Sequence, residues 1–498
     1  MKLNKISILI LIIIFALVIR VYQLNELPSG FHLDEAMTGY HAYSILKTGR
    51  DFRGNLLPIL IETHNEAMYA YLAVPFISIF DLNVFSARLA AAVIGTLTVL
   101  STYLFAKELF NKKVGLISAF LLAVSPWHLV ASRFGLRPIL VPFFVTLGLF
   151  FLLKSLKNPK LFVISAFIFG LLLHTYTVTK LFVPLMLILF FLFYHKELIM
   201  SFKSNKKKCV LSIIIFLILA LPAYGVYFFG DGNKRFDSIS VFQAPRPIHQ
   251  FFSNLLSHLS PDFLFISGDA NLRHSLPGFG QAMLVLIPFI LLALFFFACK
   301  QKKEGLFLVS SFVIGIIPAS LTAEGIPHAL RSIAAVSFLE IIAAYGIFLL
   351  YKYLKNRKKY IKTAVIIFVG LLLASNSALL IYSYFIKYPP VSEDWFQFGL
   401  REAISYAEEH SKDYDSIILT RNIEVAYVFP LFFAKLEPSE FQKSGKMGKY
   451  VICTEDINEC YGYNGKNLFI VKPNELSDKD IKKDIRNKKN EVVLKIVE

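Results

Sequence analysis

Between Ile6 and Ile386 the chain alternates long apolar runs with short polar breaks, and this pattern leaves few folds open to it. The runs fall near 6–21, 84–106, 114–127, 138–153, 161–176, 181–194, 209–229, 281–299, 305–321, 329–351 and 363–386. A segment that is apolar all round and has hydrocarbon for solvent must satisfy its own backbone N–H and C=O groups, and a helix does so within one segment. About eleven transmembrane helices are predicted on that basis. With 56% hydrophobic and only 17% charged residues, the chain reads as an α-helical polytopic membrane protein. Lys2 and Lys5 precede the first run, Tyr22-Gln23-Leu24-Asn25-Glu26 follows it, and no small-x-small cleavage pattern intervenes. It therefore reads as a retained first helix, not a cleaved leader.

The lysines orient the bundle. With the N-terminus inside, the alternate polar breaks hold 22 lysines and arginines against three acids, Glu108, Glu197 and Glu304. That asymmetry is the positive-inside pattern of a multi-pass plasma-membrane protein with a cytoplasmic N-terminus. It also explains the basic net charge without nucleic acid, because the bases are short clusters at helix ends and form no continuous patch. Two outer loops result, residues 22–83 and 230–280, together with an extracytoplasmic tail.

The tail, 387–498, has the composition of a small soluble α/β domain, and the membrane part is 1–386. A helical pattern over Trp395–His410 precedes β-type runs at Ser416–Thr420, Lys449–Thr454, Asn467–Lys472 and Val492–Val497. Helical stretches are expected near Glu437–Gln442 and Asn474–Ile485. Cys453 and Cys460 lie where an oxidising compartment would let them pair; their spacing permits a disulfide without requiring one. Without histidine neighbours they make a poor zinc site.

Function is expected in the outer loops. Asp34 and Glu35 sit just past the first run and open a helical pattern that Gly49 closes. Two compatible readings follow. Asp34 caps the helix while Glu35 favours its dipole, or Asp34 is a general base held at the membrane surface. Glu62, His64 and Glu66 form a second polar cluster, either a solvated helix entrance or a site that positions substrate or a cation. His32, a lone histidine beside the acidic pair, is expected to line the outer surface.

These motifs together carry a resemblance. Asp34-Glu35, Gly39-Tyr40-His41-Ala42-Tyr43, Phe85-Ser86-Ala87-Arg88-Leu89, Ser125-Pro126-Trp127-His128 and Ser132-Arg133 resemble the bacterial GT-C fold glycosyltransferases, the superfamily of the protein O-mannosyltransferases and the aminoarabinose transferase. Ser260-Pro261-Asp262, Gly268-Asp269, Arg273-His274 and Pro327-His328-Ala329-Leu330-Arg331 extend it across most of the membrane region. The resemblance implies transfer of a sugar, with inversion, from a polyprenyl-phosphate donor to a hydroxyl acceptor on a protein, lipid or glycan at the outer face. It makes Asp34 the catalytic base, with Glu35 beside it. Arg331, Arg273, Arg137 and Arg133 are the candidates for gripping the donor phosphate, and Arg88 is expected to pair with an acid of the first loop.

The chain departs from the family where many relatives carry Lys-Pro-Pro before the apolar helix of the first loop; here the segment reads His64-Asn65-Glu66-Ala67-Met68. In the aminoarabinose-transferase branch a carboxylate and a histidine hold a metal, and Glu62 or Glu66 with His274, near Asp269, would correspond to that site. These residues leave metal dependence open. The competing classes are a polytopic lipid or oligosaccharide transporter and an oligosaccharide ligase. A transporter tends to show internal repeats and mid-membrane polar sites, whereas the polar clusters here lie in loops.

Overall fold

The structure, a computed structural model, describes residues 5–61, 65–230, 232–461, 465–476 and 479–498. The helices of the membrane part are α1 Lys5–Val21, α2 Leu33–Thr48, α3 Met68–Phe80, α4 Val84–Leu109, α5 Lys112–Ala123, α6 Pro126–Ala131, α7 Leu140–Ser155 and α8 Leu161–Leu172. They continue with α9 Thr179–Ser204, α10 Lys206–Phe229, α11 Lys234–Ile239, α12 Pro247–Leu259, α13 Ile287–Lys300, α14 Lys303–Ser320, α15 Val336–Leu354 and α16 Lys359–Tyr382.

All eleven apolar runs fold as helices, but their lengths differ from a uniform set of membrane spans. Among the described residues seven helices are long and apolar enough to cross: α4, α7 with the turn before it, α9, α10, α14, α15 with the turn before it, and α16 with the turn after it. The runs read at 114–127 and 161–176 give only the 12-residue helices α5 and α8. At 1.5 Å per residue each covers about 18 Å of a hydrocarbon core of about 30 Å. Pro126 opens a new helix after Ser125 and so ends the first of these runs early.

The bundle has an inside and an outside. In α4, α7 and α15, between 72% and 78% of the apolar window is buried, against 28% or less in α9, α10 and α16. Small residues make the centre close-packed: Ala87, Ala90, Ala91, Ala92 and Gly95 line α4 where α1, α2, α3 and α6 approach it.

Strands β1 Leu60–Ile61 and β2 Asn65–Glu66 pair antiparallel in the first loop. In the tail, strands β3 Ser416–Leu419, β4 Tyr450–Ile452, β5 Asn467–Val471, β6 Ile481–Arg486 and β7 Val492–Val497 form one sheet in the order β4-β3-β5-β7-β6. β3 runs parallel to β4 and β5, while β7 is antiparallel to β5 and β6. Of the helix expected over Asn474–Ile485, residues 477–478 lie outside the described residues, and 481–485 are instead strand β6. Its residues alternate Ile481, Lys483 and Ile485, and the turn at Asn487–Asn490, with Asn490 at φ 65°, returns the chain as a hairpin to β7. Cys453 and Cys460 are joined as a disulfide.

The tail is seated on α2. Tyr40 Oη donates to Leu436 O at 2.8 Å, and the Gln442 amide donates to Ser44, Thr48 and the Asp51 carbonyl. Leu33 N–H donates to Gln397 Oε1 at 2.7 Å, and Phe31 N–H to Phe396 O at 2.6 Å.

Candidate active site

The start of α2 fixes Asp34 and Glu35 in different surroundings. The N-cap is His32, not Asp34: His32 Nδ1 faces the Asp34 N–H at 3.1 Å, and Glu35 Oε2 accepts from the His32 N–H at 3.2 Å. This is a capping box with a histidine in place of the usual hydroxyl. Asp34 is left free of capping duty, its side chain 44% exposed.

Glu35, expected beside Asp34 in the catalytic pair, is turned inward. Its carboxylate takes Arg88 in a two-pronged ion pair at 2.8 and 2.9 Å and also accepts from the Gly135 N–H at 2.9 Å. Both side chains of the pair are fully buried. Arg88 spends its remaining donors on the carbonyls of Leu24, Pro28 and Gly30. The expected pairing of Arg88 with an acid of the first loop is therefore present, and that acid is Glu35.

Asp34 lines a cavity of about 700 Å³ between the loop after α6, the start of α9, the end of α10 and the segments around 270 and 325. Arg137, Arg273 and Arg331 share its wall. Arg331 is held by Thr322 Oγ1 at 3.0 Å and the Glu324 carbonyl at 2.6 Å. Arg137 donates to Asn65 Oδ1 at 2.6 Å and lies over the Tyr176 ring. Arg133, grouped with them by the resemblance, is elsewhere. It is fully buried and donates to the carbonyls of Ile19, Arg20, Tyr22 and Leu27, so it satisfies the open C-terminal end of α1.

Glu66 is buried between Lys180 at 2.6 Å, Arg137 at 3.3 Å and the Thr177 hydroxyl at 2.9 Å. Lys180 and Arg137 hold its carboxyl below the ordinary range against the opposing effect of burial. It is an anchor for two cavity cations. Glu62 and His64 lie outside the described residues.

The histidines converge where the sequence separates them. His274 Nδ1 meets Asp269 Oδ2 at 3.0 Å, and its ring stacks on His328 at 4.6 Å. Asp269 Oδ2 also accepts from the Ala329 N–H at 2.8 Å. The ligand atoms of Asp269, His274 and His328 lie within 4.8 Å of one another. Burial pushes both histidines down, so both imidazoles are neutral and have lone pairs for a cation. This O,N,N set is chemically suited to a divalent ion. His328 stood in a family motif but not among the residues read as site; its signal was the Pro-His before Arg331.

His32 is 5% exposed, not a surface residue, and burial pushes it down to about 4. Its Nε2 meets Arg273 Nη1 in a short contact. A neutral imidazole accepts at one nitrogen only, so His32 satisfies either Arg273 or the Asp34 N–H. When it accepts from Arg273, its Nδ1–H faces Asp34 Oδ2, 3.5 Å away.

A family model described as dolichyl-phosphate-mannose-protein mannosyltransferase matches residues 65–224. A search of curated proteins finds no match. Among solved structures, apo ArnT from Cupriavidus metallidurans superposes with a TM-score of 0.58 at 12% identity, over 98% of this chain and 97% of that one. ArnT bound to undecaprenyl phosphate gives 0.55 at the same 12% identity, again over 98% and 97% of the two chains. The oligosaccharyltransferase AglB from Archaeoglobus fulgidus, in complex with an inhibitory peptide and a dolichol-phosphate, gives 0.53 at 14% identity over 86% of this chain, which spans 63% of that enzyme. AglB has also been solved with zinc and sulfate, at a TM-score of 0.51 and 15% identity over 86% of this chain and 61% of that one. These likenesses show the fold: a multi-pass membrane protein with the architecture of the GT-C glycosyltransferases. The resemblance read in the sequence is borne out.

Proposed function

We propose that the chain is an inverting glycosyltransferase that moves a sugar from a polyprenyl-phosphate donor to a hydroxyl acceptor at the outer face of the plasma membrane. The observation that carries it is one cavity whose wall holds a half-exposed carboxylate, Asp34, together with three guanidinium groups, Arg137, Arg273 and Arg331. Those are the two things the reaction needs, a base for the acceptor and positive charge for the phosphate that leaves. Asp34 takes the proton from the acceptor hydroxyl. The oxygen then attacks the anomeric carbon from the face opposite the donor, and the bond from that carbon to the phosphate oxygen breaks. The lipid phosphate departs with the electron pair of that bond on its oxygen, and the arginines offset the added negative charge, so no acid is needed to protonate it.

On this reading the N-terminus is cytoplasmic, residues 1–386 form the catalytic membrane domain, and the tail is an extracytoplasmic domain that braces α2. Asp269, His274 and His328 would hold a divalent cation, which would supply Lewis-acid charge to the site. Glu35 acts through Arg88 and Gly135 to fix the turn on which Asp34 stands.

The test is Asp34→Asn assayed in membranes for sugar transfer from a polyprenyl-phosphate donor. Turnover is expected to fall by about 10²–10⁴ with normal expression. Wild-type turnover in that variant would refute the assignment of the base.

A further inference from the structure

A second cavity lies at the other end of the bundle. It is a groove of about 360 Å³ between the first turns of α5, the last turns of α15 and the second and third turns of α16. Its walls are apolar: Leu116 and Ile117 from α5, Ile347 and Phe348 from α15, and Ile366 and Val369 from α16. At the mouth Lys113 Nζ lies 4.1 Å and Lys362 Nζ 5.6 Å from the centre of the Tyr351 ring. Among the described residues neither lysine has an acidic partner. Lys355 also acts on Tyr351, and the sequence places Lys112, Lys352, Lys358 and Lys359 in the adjoining turns.

We infer that this groove is a binding site for an anionic glycerophospholipid, with its phosphate at Lys113, Lys362 and the Tyr351 hydroxyl and one acyl chain along the apolar walls. Three observations favour this occupant. First, one wall of the groove is α16, an apolar helix of which only 11% of the apolar window is buried, so the wall belongs to the face that hydrocarbon would cover. Second, its two chemistries are ordered as in a phospholipid, cationic at the lysine-rich end and apolar toward the middle of the membrane. Third, α15 separates it from the catalytic cavity. Its 19 residues span about 28 Å, with Arg331 just before one end and Tyr351 near the other, so a donor whose phosphate sits at Arg331 does not place it at Lys113. A second copy of the chain would meet the lysine cluster with its own like charge.

The experiment is native mass spectrometry of the full-length protein in detergent, with phosphatidylglycerol or phosphatidylcholine of the same acyl chains added at equal concentration. The first bound lipid is expected to be phosphatidylglycerol by roughly tenfold. Lys113→Gln/Lys362→Gln removes the preference. Ile366→Trp, which fills the groove and keeps both charges, lowers occupancy by phosphatidylglycerol. Equal retention of the two lipids, a preference that survives the double substitution, or the same lysine-dependent adduct with inorganic phosphate alone would each overturn the site. So would a dimer whose formation excludes the lipid. Unfolding temperatures within a few degrees of wild type exclude misfolding as the cause of any loss.

Discussion

Asp34 and Glu35 are sequence neighbours, and successive residues on a helix point about 100° apart, so one faces the cavity while the other faces the core. The acidic pair was legible in the sequence; the division of labour was not, because it depends on Arg88, 53 residues away, reaching Glu35. Glu35→Gln leaves a buried guanidinium without its counter-charge. The expected loss is about 3–5 kcal/mol of stability, read as a lowered unfolding temperature in detergent. A variant that unfolds like wild type would show that the pair is dispensable. Arg331 was legible as a candidate for the donor phosphate by its place in the motif, and the structure puts it on the wall of the cavity that Asp34 lines, while Arg133 was not separable from it by sequence, since capping a helix end and gripping a ligand use the same donors. Arg331→Ala is expected to raise the donor KM by roughly tenfold or more, with little effect on unfolding. An unchanged KM would remove Arg331 from the donor site.

At the scale of the element, α2 is the part whose placement decides the site. Its start is held by His32 within the chain segment and by Gln397 from the tail, whose side chain accepts from the first helical N–H. Gly30 makes the approach of the two segments possible: it sits at φ 95°, and a Cβ there would run into the carbonyl of Phe396. Gly30→Ala is therefore strained by conformation and by contact, and is expected to lower both stability and turnover. The same element carries a pH dependence. His32 titrates near 4 in the folded chain against an ordinary value of 6.5, because burial outweighs the attraction of Asp34 and Glu35 and is reinforced by Arg273 and His274. The unfolded state then binds the proton more readily, so this residue's contribution to stability is intact above pH 6.5 and is lost as pH falls toward 4. Unfolding temperatures measured across that window should fall with acidification, and fall less in His32→Asn. An identical profile in the variant would sink the assignment.

At the scale of the molecule, the apolar runs were readable because the bilayer leaves each of them a single economical state, and all eleven are helices. Their crossing lengths were less readable, since breaks such as Ser125-Pro126 act through local geometry that hydropathy averages over. β6 was misread because a lysine-rich strand at a sheet edge has the composition of a solvated helix, and only its pairing with β7 decides. Asp269 and His274 are five residues apart and so leave a local trace, whereas the approach of His328 to them, and of His32 to Arg273, is tertiary. The docking of the tail on α2 is of the same kind, and it makes a prediction about the whole chain. The bundle owes its membrane insertion to its apolar helices, whereas α2 owes part of its N-terminal capping and its contacts along Tyr40, Ser44 and Thr48 to the tail. Cutting the chain after Lys387 should then leave insertion unchanged, measured as resistance of the protein to carbonate extraction from membranes, while turnover falls at least tenfold. Gln397→Ala in the intact chain should reproduce a smaller part of that loss, since it deletes one capping interaction, ~1 kcal/mol. If the truncated chain inserts and transfers sugar at the wild-type rate, the tail is not a brace for α2, and Asp34 is positioned by the bundle alone.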